Sequence, residues 1–135
     1  MFNTGKMKKK VEELKKSGLI RKNEKILIAF SGGPDSVFLY NLLNFLKEEY
    51  SLEISLIYIN HNLREDVGND LKFVREFSEE NNVPLYIESV NVKEYATENK
   101  KSIELAAREL RYQAIERTLK NINYDRIATG HNLDD

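Results

Sequence analysis

Ser31-Gly-Gly-Pro-Asp-Ser36 gathers two hydroxyls, two glycines, a proline and a carboxylate into six residues. The stretch sits between an apolar run, Lys25-Ile-Leu-Ile-Ala29, and a helical pattern that begins Phe38-Leu-Tyr-Asn-Leu-Leu43. Gly32 and Gly33 allow close backbone approach and positive φ. Pro34 suits the first position of a helix, where its missing N–H is not needed. The N–H groups of Asp35, Ser36 and Val37 are then expected to stand unpaired at the positive end of the helix dipole, an anion site that most often takes phosphate. Ser31 and Ser36 would add hydroxyl donors. The Asp35 carboxylate would repel a phosphate unless a cation lay between them, and Mg²⁺ bridging the two resolves that conflict. Neither the GxxxxGKS/T nor the GxGxxG phosphate motif is present. By residue type alone the same six residues could simply turn the chain, with Asp35 capping the helix; their position between strand and helix favours phosphate.

Three further clusters carry polar side chains. Asn60-His-Asn-Leu-Arg64 follows a second apolar run, and His131-Asn-Leu-Asp-Asp135 follows a fourth. Asp134 and Asp135 are adjacent carboxylates, and with Asp35 they form a ligand set suited to a hard cation such as Mg²⁺. Zinc is disfavoured because thiolates are missing and imidazoles are few. Arg108 and Arg111 stand three residues apart on a predicted helix and so share one side of it. They are read either as surface partners of Glu104 or Glu109, or as positive charge beside a phosphate.

These clusters need elements to position them. Met7, Val11 and Leu14 predict an amphipathic helix over about residues 6–17, closed by Gly18. Lys25–Phe30 reads as a strand covered on both faces, followed by a helix from about Pro34 to Tyr50. Further strands are predicted over 53–60, 85–90 and 124–129, and further helices over 67–81 and 102–120, with 91–101 a polar connection. Strands alternating with helices predict a doubly wound, parallel α/β sheet of four strands. Ligands of such sheets sit beyond the carboxyl ends of the strands, where three of the four post-strand segments are rich in polar groups.

The chain has 135 residues, 41% hydrophobic and 32% charged, with net charge −1 and no cysteine. That describes one soluble globular domain, in which disulfides, thiolate metal sites and cysteine nucleophiles are excluded. Affinity for nucleic acid would have to come from local patches such as the lysines of residues 6–16, although Glu12 and Glu13 favour a solvated face there. No apolar run approaches the ~20 residues of a membrane span, and Lys6-Met-Lys-Lys-Lys10 leads into Val11-Glu-Glu13 rather than a signal sequence. A cytoplasmic protein is expected. The sequence stops within a polar cluster just after a strand, which reads as a fragment of a longer protein.

Ser-Gly-Gly-Pro-Asp-Ser resembles the SGGxDS signature of the PP-loop ATP pyrophosphatases, which cut ATP between the α- and β-phosphates and adenylate a substrate. Together with Ile59-Asn-His-Asn-Leu-Arg64, Ser102-Ile-Glu-Leu-Ala-Ala-Arg-Glu-Leu-Arg-Tyr112 and Thr129-Gly-His-Asn-Leu-Asp-Asp135, it is similar to one branch, the tRNA(Ile)-lysidine synthases. The resemblance runs from about Lys25 to Asp135 and implies that residues 1–135 are the front part of the catalytic domain, inactive alone. That family's pattern continues with a glutamine and a Glu-Thr pair, and with tRNA-binding domains. It implies ATP held by Ala29, Ser31, Gly32, Gly33, Pro34, Asp35, Ser36, Asn60 and His61. It also implies Mg²⁺ on Asp35, Asp134 and Asp135, with Asp35, Arg111, Asp135, Arg108 and His131 in catalysis. The implied partners are tRNA(Ile) with a CAU anticodon and free L-lysine, with a homodimer possible. The implied reaction has the C2 carbonyl oxygen of the wobble cytidine attack the α-phosphate, releasing pyrophosphate. The ε-amine of lysine then displaces AMP. Other readings are a tRNA thiolase, which typically carries CxxC pairs, an amidating synthetase, and a non-catalytic ATP-binding module.

Overall fold

The structure, a computed structural model, describes residues 4–62, 68–129 and 133–134. Its elements run α1 (Thr4–Ser17), β1 (Lys25–Ala29), α2 (Pro34–Tyr50), β2 (Glu53–Asn60), α3 (Gly68–Asn81), β3 (Leu85–Ser89), α4 (Val92–Glu98), α5 (Ile103–Ile122), β4 (Arg126–Ala128) and β5 (Leu133–Asp134). The sheet order is β3-β2-β1-β4-β5. The first four strands pair in parallel, as the alternation of strand and helix predicts. The two-residue β5 pairs antiparallel with β4, Ile127 opposite Asp134, and adds a short edge strand that the apolar pattern does not reveal.

β1 is central because both its faces are apolar. Successive side chains of a strand point to opposite faces, and Ile26, Leu27 and Ile28 are all fully buried. Ile26 and Ile28 pack with Leu43 and Leu46 of α2, Met7 and Val11 of α1, and Val74 of α3. Leu27 packs on the other face with Ile57 of β2, Ile127 of β4 and Ile115 of α5. The strand order turns back between β1 and β4, so a crevice opens there beyond their carboxyl ends.

One helix lies where a polar connection is predicted. α4 starts at Asn91, whose side chain accepts the N–H of Glu94 at 3.1 Å while its amide donates to the Glu94 carboxylate at 3.1 Å. This reciprocal cap holds a short helix that carries only Val92 and Ala96 into the core. α5 is capped by a single bond, the Ser102 hydroxyl accepting the Leu105 N–H at 3.1 Å.

The amino-terminal edge of the sheet is clamped by charge. Arg126 pairs with Glu24 at 3.2 Å, both side chains about nine-tenths buried, and donates to the Leu19 carbonyl. Asp125 accepts the Lys25 N–H at 2.8 Å, tying β4 to β1. Removing one member of a buried pair leaves the other charge without compensation, whereas the exposed pair Lys15–Glu49 is solvated whether or not it forms. Arg126→Ala is therefore expected to cost roughly 3 kcal/mol and Lys15→Ala less than about 1 kcal/mol, read from urea midpoints at constant slope.

Candidate nucleotide site

The loop after β1 is knitted by its own serines. Gly32 N–H donates to Ser36 Oγ at 3.2 Å, and Ser36 Oγ–H donates to the Gly33 carbonyl at 3.0 Å. Gly33 N–H donates to Ser31 Oγ at 3.2 Å. Ser36 is buried, so its hydroxyl is part of the scaffold, whereas Ser31 is exposed. Gly33 is the N-cap residue of α2, Pro34 occupies the first turn, and no side chain caps the helix. Asp35 therefore does not cap the helix; it is exposed on the first turn.

This geometry refines two expectations. Three unpaired N–H groups are expected, but Val37 N–H donates to the Gly33 carbonyl at 3.1 Å, the first bond of the helix. The N–H groups of Asp35 and Ser36 have no such partner among the described residues. Positive φ is expected at either glycine, but only Gly32 adopts it, at +90°, while Gly33 is extended at φ −78°, ψ 170°. A Cβ on Gly32 would also lie 3.1 Å from Phe73 Cδ2. A Cβ on Gly33 would meet only Ser31 Oγ within 4 Å, at 3.5 Å, and otherwise project into open space.

A cavity of about 410 Å³ opens beyond the strand ends, lined by Ala29, Ser31, Asp35, Ser36, His61 and Arg111, with Phe30, Asp70, Thr129 and the 57–59 segment of β2 completing it. A second space of about 330 Å³ adjoins it at Ser31 and Asp70 and reaches Gly32, Gly33 and Phe73. Most of the expected nucleotide residues therefore converge. Asn60 is absent from this lining, because its side chain accepts Asn62 N–H at 3.0 Å. Asn62, at φ +56°, donates to the Val90 carbonyl at 2.9 Å and holds the end of β2 against β3.

The two arginines of α5 separate. Arg111 is half-buried in the cavity and forms no ion pair among the described residues. Arg108 is exposed, its guanidinium 5.9 Å from the centre of the Tyr112 ring. Glu109 partners neither of them, since it accepts from Lys101 and from the Tyr95 hydroxyl at 2.8 Å. Asp70 lines the cavity although it belongs to no motif, and so does Thr129, the first residue of the Thr129–Asp135 segment and one with no role expected of it. For Thr129 a signal was present, since it follows β4 directly. Asp70 lies in the first turn of a helix whose start is preceded by an unpatterned polar stretch.

Burial holds the His61 pKa below its usual value, and the positive charge of Arg111 lowers it further. His61 therefore stays neutral near pH 7 and can both donate and accept a hydrogen bond. Asp35, an oxygen donor open to the cavity and without an ion pair among the described residues, fits a hard cation. No group of three metal-binding side chains occurs among the described residues. His131, Asp135 and Arg64 lie outside the described residues, and for Asp134 only the β5 backbone is described.

Two outcomes follow from this geometry. Gly33→Ala should leave urea stability nearly unchanged but abolish nucleotide binding, whereas Gly32→Ala should lose binding and about 1–2 kcal/mol of stability as well. Arg111→Gln should raise the His61 pKa while leaving it below 6.5, because burial remains; ¹H–¹³C NMR titration reads the shift. Since the folded value is depressed, the His61 contribution to stability is complete above the unfolded pKa and is lost as pH falls through the folded one.

The chain is similar to several known proteins. The chain is 39% identical over 129 residues to a tRNA(Ile)-lysidine synthase of Thermosipho africanus, covering 96% of this chain and 30% of that protein. It is 38% identical over 117 residues to the tRNA(Ile)-lysidine synthase of Petrotoga mobilis, covering 87% and 38%. The chain thus spans little more than a third of these relatives at most. Among solved structures, the U34-tRNA thiolase NcsA from Methanococcus maripaludis, with its 4Fe–4S cluster, superimposes with TM-score 0.78 at 20% identity. That likeness covers 96% of this chain and 46% of the thiolase, and it is one of fold. A family model for the PP-loop domain matches residues 3–135, so the chain belongs to the PP-loop domain family.

Proposed function

We propose that this chain is the ATP-binding part of a cytoplasmic tRNA(Ile)-lysidine synthase. The observation that carries the reading is the single cavity in which the serine-glycine loop, Asp35 and the guanidinium of Arg111 meet. ATP would place its pyrophosphate on the loop, using the N–H groups of Asp35 and Ser36 and the hydroxyl of Ser31. Adenosine would lie toward Ala29 and His61. Arg111 would face the α-phosphate, where negative charge develops as the bond to the β-phosphate breaks. Mg²⁺ would be held by Asp35 together with Asp134 and Asp135, and would supply charge neutralisation between Asp35 and the phosphates.

The proposed chemistry needs no protein nucleophile. The C2 carbonyl oxygen of a wobble cytidine bonds to the α-phosphorus and pyrophosphate leaves. The ε-amine of free lysine then bonds to C2, loses a proton, and AMP departs with the oxygen. Lysidine, AMP and pyrophosphate result. Placing reactants and stabilising charge are the tasks left to the protein, and the cavity offers groups for both. Similarity to lysidine synthases over nearly the whole chain supports this substrate class. A thiolase reading draws on the fold likeness, but these 135 residues hold no cysteine.

The complete gene product carrying this chain should release pyrophosphate from ATP only when an isoleucine tRNA with a CAU anticodon is present, and should incorporate labelled lysine into it. ATP binding without RNA-dependent release would mark a non-catalytic module, and release without lysine incorporation another nucleophile. Arg111→Ala should lower kcat on the order of 10²-fold with little change in the KM for ATP. The 135-residue chain alone should bind ATP and show no turnover.

A further inference from the structure

α1 places charge against its own helix dipole. Its first turn contains no acidic residue, and Lys6, Lys8, Lys9 and Lys10 fall within its first seven residues. Cations near a helix N-terminus are electrostatically unfavourable. The structure compensates only some of them. Lys6 lies over the Phe38 ring with its Nζ 5.0 Å from the centre, and Lys10 pairs with Glu13 at 3.3 Å. Lys8 and Lys9 are exposed and form no ion pair with a described residue.

The packing of α1 gives this arrangement a place. Lys6 near the start of α1 meets Phe38 near the start of α2, and Lys15 near its end meets Glu49 near the end of α2, at 2.9 Å. The two helices therefore run parallel. α2 begins at the phosphate loop, so the lysine-rich start of α1 lies at the same carboxyl edge of the sheet as the cavity. Packed helices are about 8–10 Å apart, so the start of α1 neighbours the start of α2 at that edge. Met7 and Val11 are buried against α2, which fixes Lys8 and Lys9 on the outward side.

We infer that Lys8 and Lys9, flanked by Lys6 and Lys10, form a docking surface for the phosphate backbone of the RNA whose base enters the cavity. The inference rests on the proposed function in taking RNA as the substrate. It adds that the contact is with backbone and carries no sequence information, so it serves any RNA stem beside the loop. A chain of net charge −1 has no global field to attract RNA, and a local cationic ridge at the site edge supplies the attraction there.

The test is fluorescence anisotropy of a labelled anticodon stem-loop RNA with the complete gene product, across a salt series. Lys8→Gln/Lys9→Gln should bind on the order of tenfold more weakly at low salt, lower the slope of log K against log salt by about 1.5–2, and converge with wild type near 1 M. ATP affinity should be unchanged, and Tm should stay level or rise because cations opposing the dipole are gone. RNA binding with unaltered slope would overturn this surface and leave the lysidine reading standing. No RNA binding by wild type would overturn both. Retention by phosphatidylglycerol vesicles without RNA binding would assign the lysines to an anionic membrane surface instead, and a lowered Tm would make them structural.

Discussion

Ser36 Oγ accepts the N–H of Gly32 and donates to the carbonyl of Gly33, and on these two bonds the shape of the loop after β1 depends. The hydroxyl is buried, and a buried polar group without partners is costly, so the loop has a strong reason to keep this form. With Gly32 at φ +90° and Gly33 extended, α2 starts with the N–H groups of Asp35 and Ser36 free of backbone partners among the described residues, and both residues line the cavity. The pairing of β1 with β2 and β4 then brings His61 and Thr129 to the same rim. An incoming phosphate would meet a preorganised loop, in which Ser31 is the exposed hydroxyl that could exchange its bond to Gly33 for one to a ligand.

The charges around the cavity are divided by side. Asp35 and Asp70 stand on α2 and α3, while Arg111 enters from α5 on the other face of the sheet. The depressed His61 pKa records both its burial and the proximity of Arg111. A triphosphate across this space would meet hydrogen-bond donors at one end and a guanidinium at the other. The two carboxylates stand on the α2 and α3 side, where a cation would have to accompany it. Arg108, turned outward onto Tyr112, contributes to none of this from its present position.

Most of the fold is legible in the sequence because burial on two faces leaves short apolar runs, as in Ile26–Ala29 and in Leu56–Ile59. α4 escapes because a helix of seven residues inserts only Val92 and Ala96 into the core, too few to show a period among lysines and glutamates. β5 escapes because two residues carry no pattern. In the site, SGGPDS is legible because glycine, proline and serine have distinct backbone roles. Spacing alone cannot separate Arg108 from Arg111, since residues three apart share a side, and the difference arises from what α5 packs against. Likewise Asp70 gains its place only through the third dimension, where the first turn of α3 meets the loop beside Gly32.

The register of β1 also sets an order of assembly. It pairs with β2 close by in sequence, but its other neighbour, β4, lies 100 residues away, with Asp125 closing onto Lys25. Contacts so distant in sequence are slow to form, since chain entropy must be lost before they can reward it. During synthesis the serine-glycine loop, α2 and β2 can meet long before β4 leaves the ribosome. A nascent chain thus has its serine-glycine loop early and gains the Thr129 wall late, so the cavity takes its full lining only as the fourth strand docks.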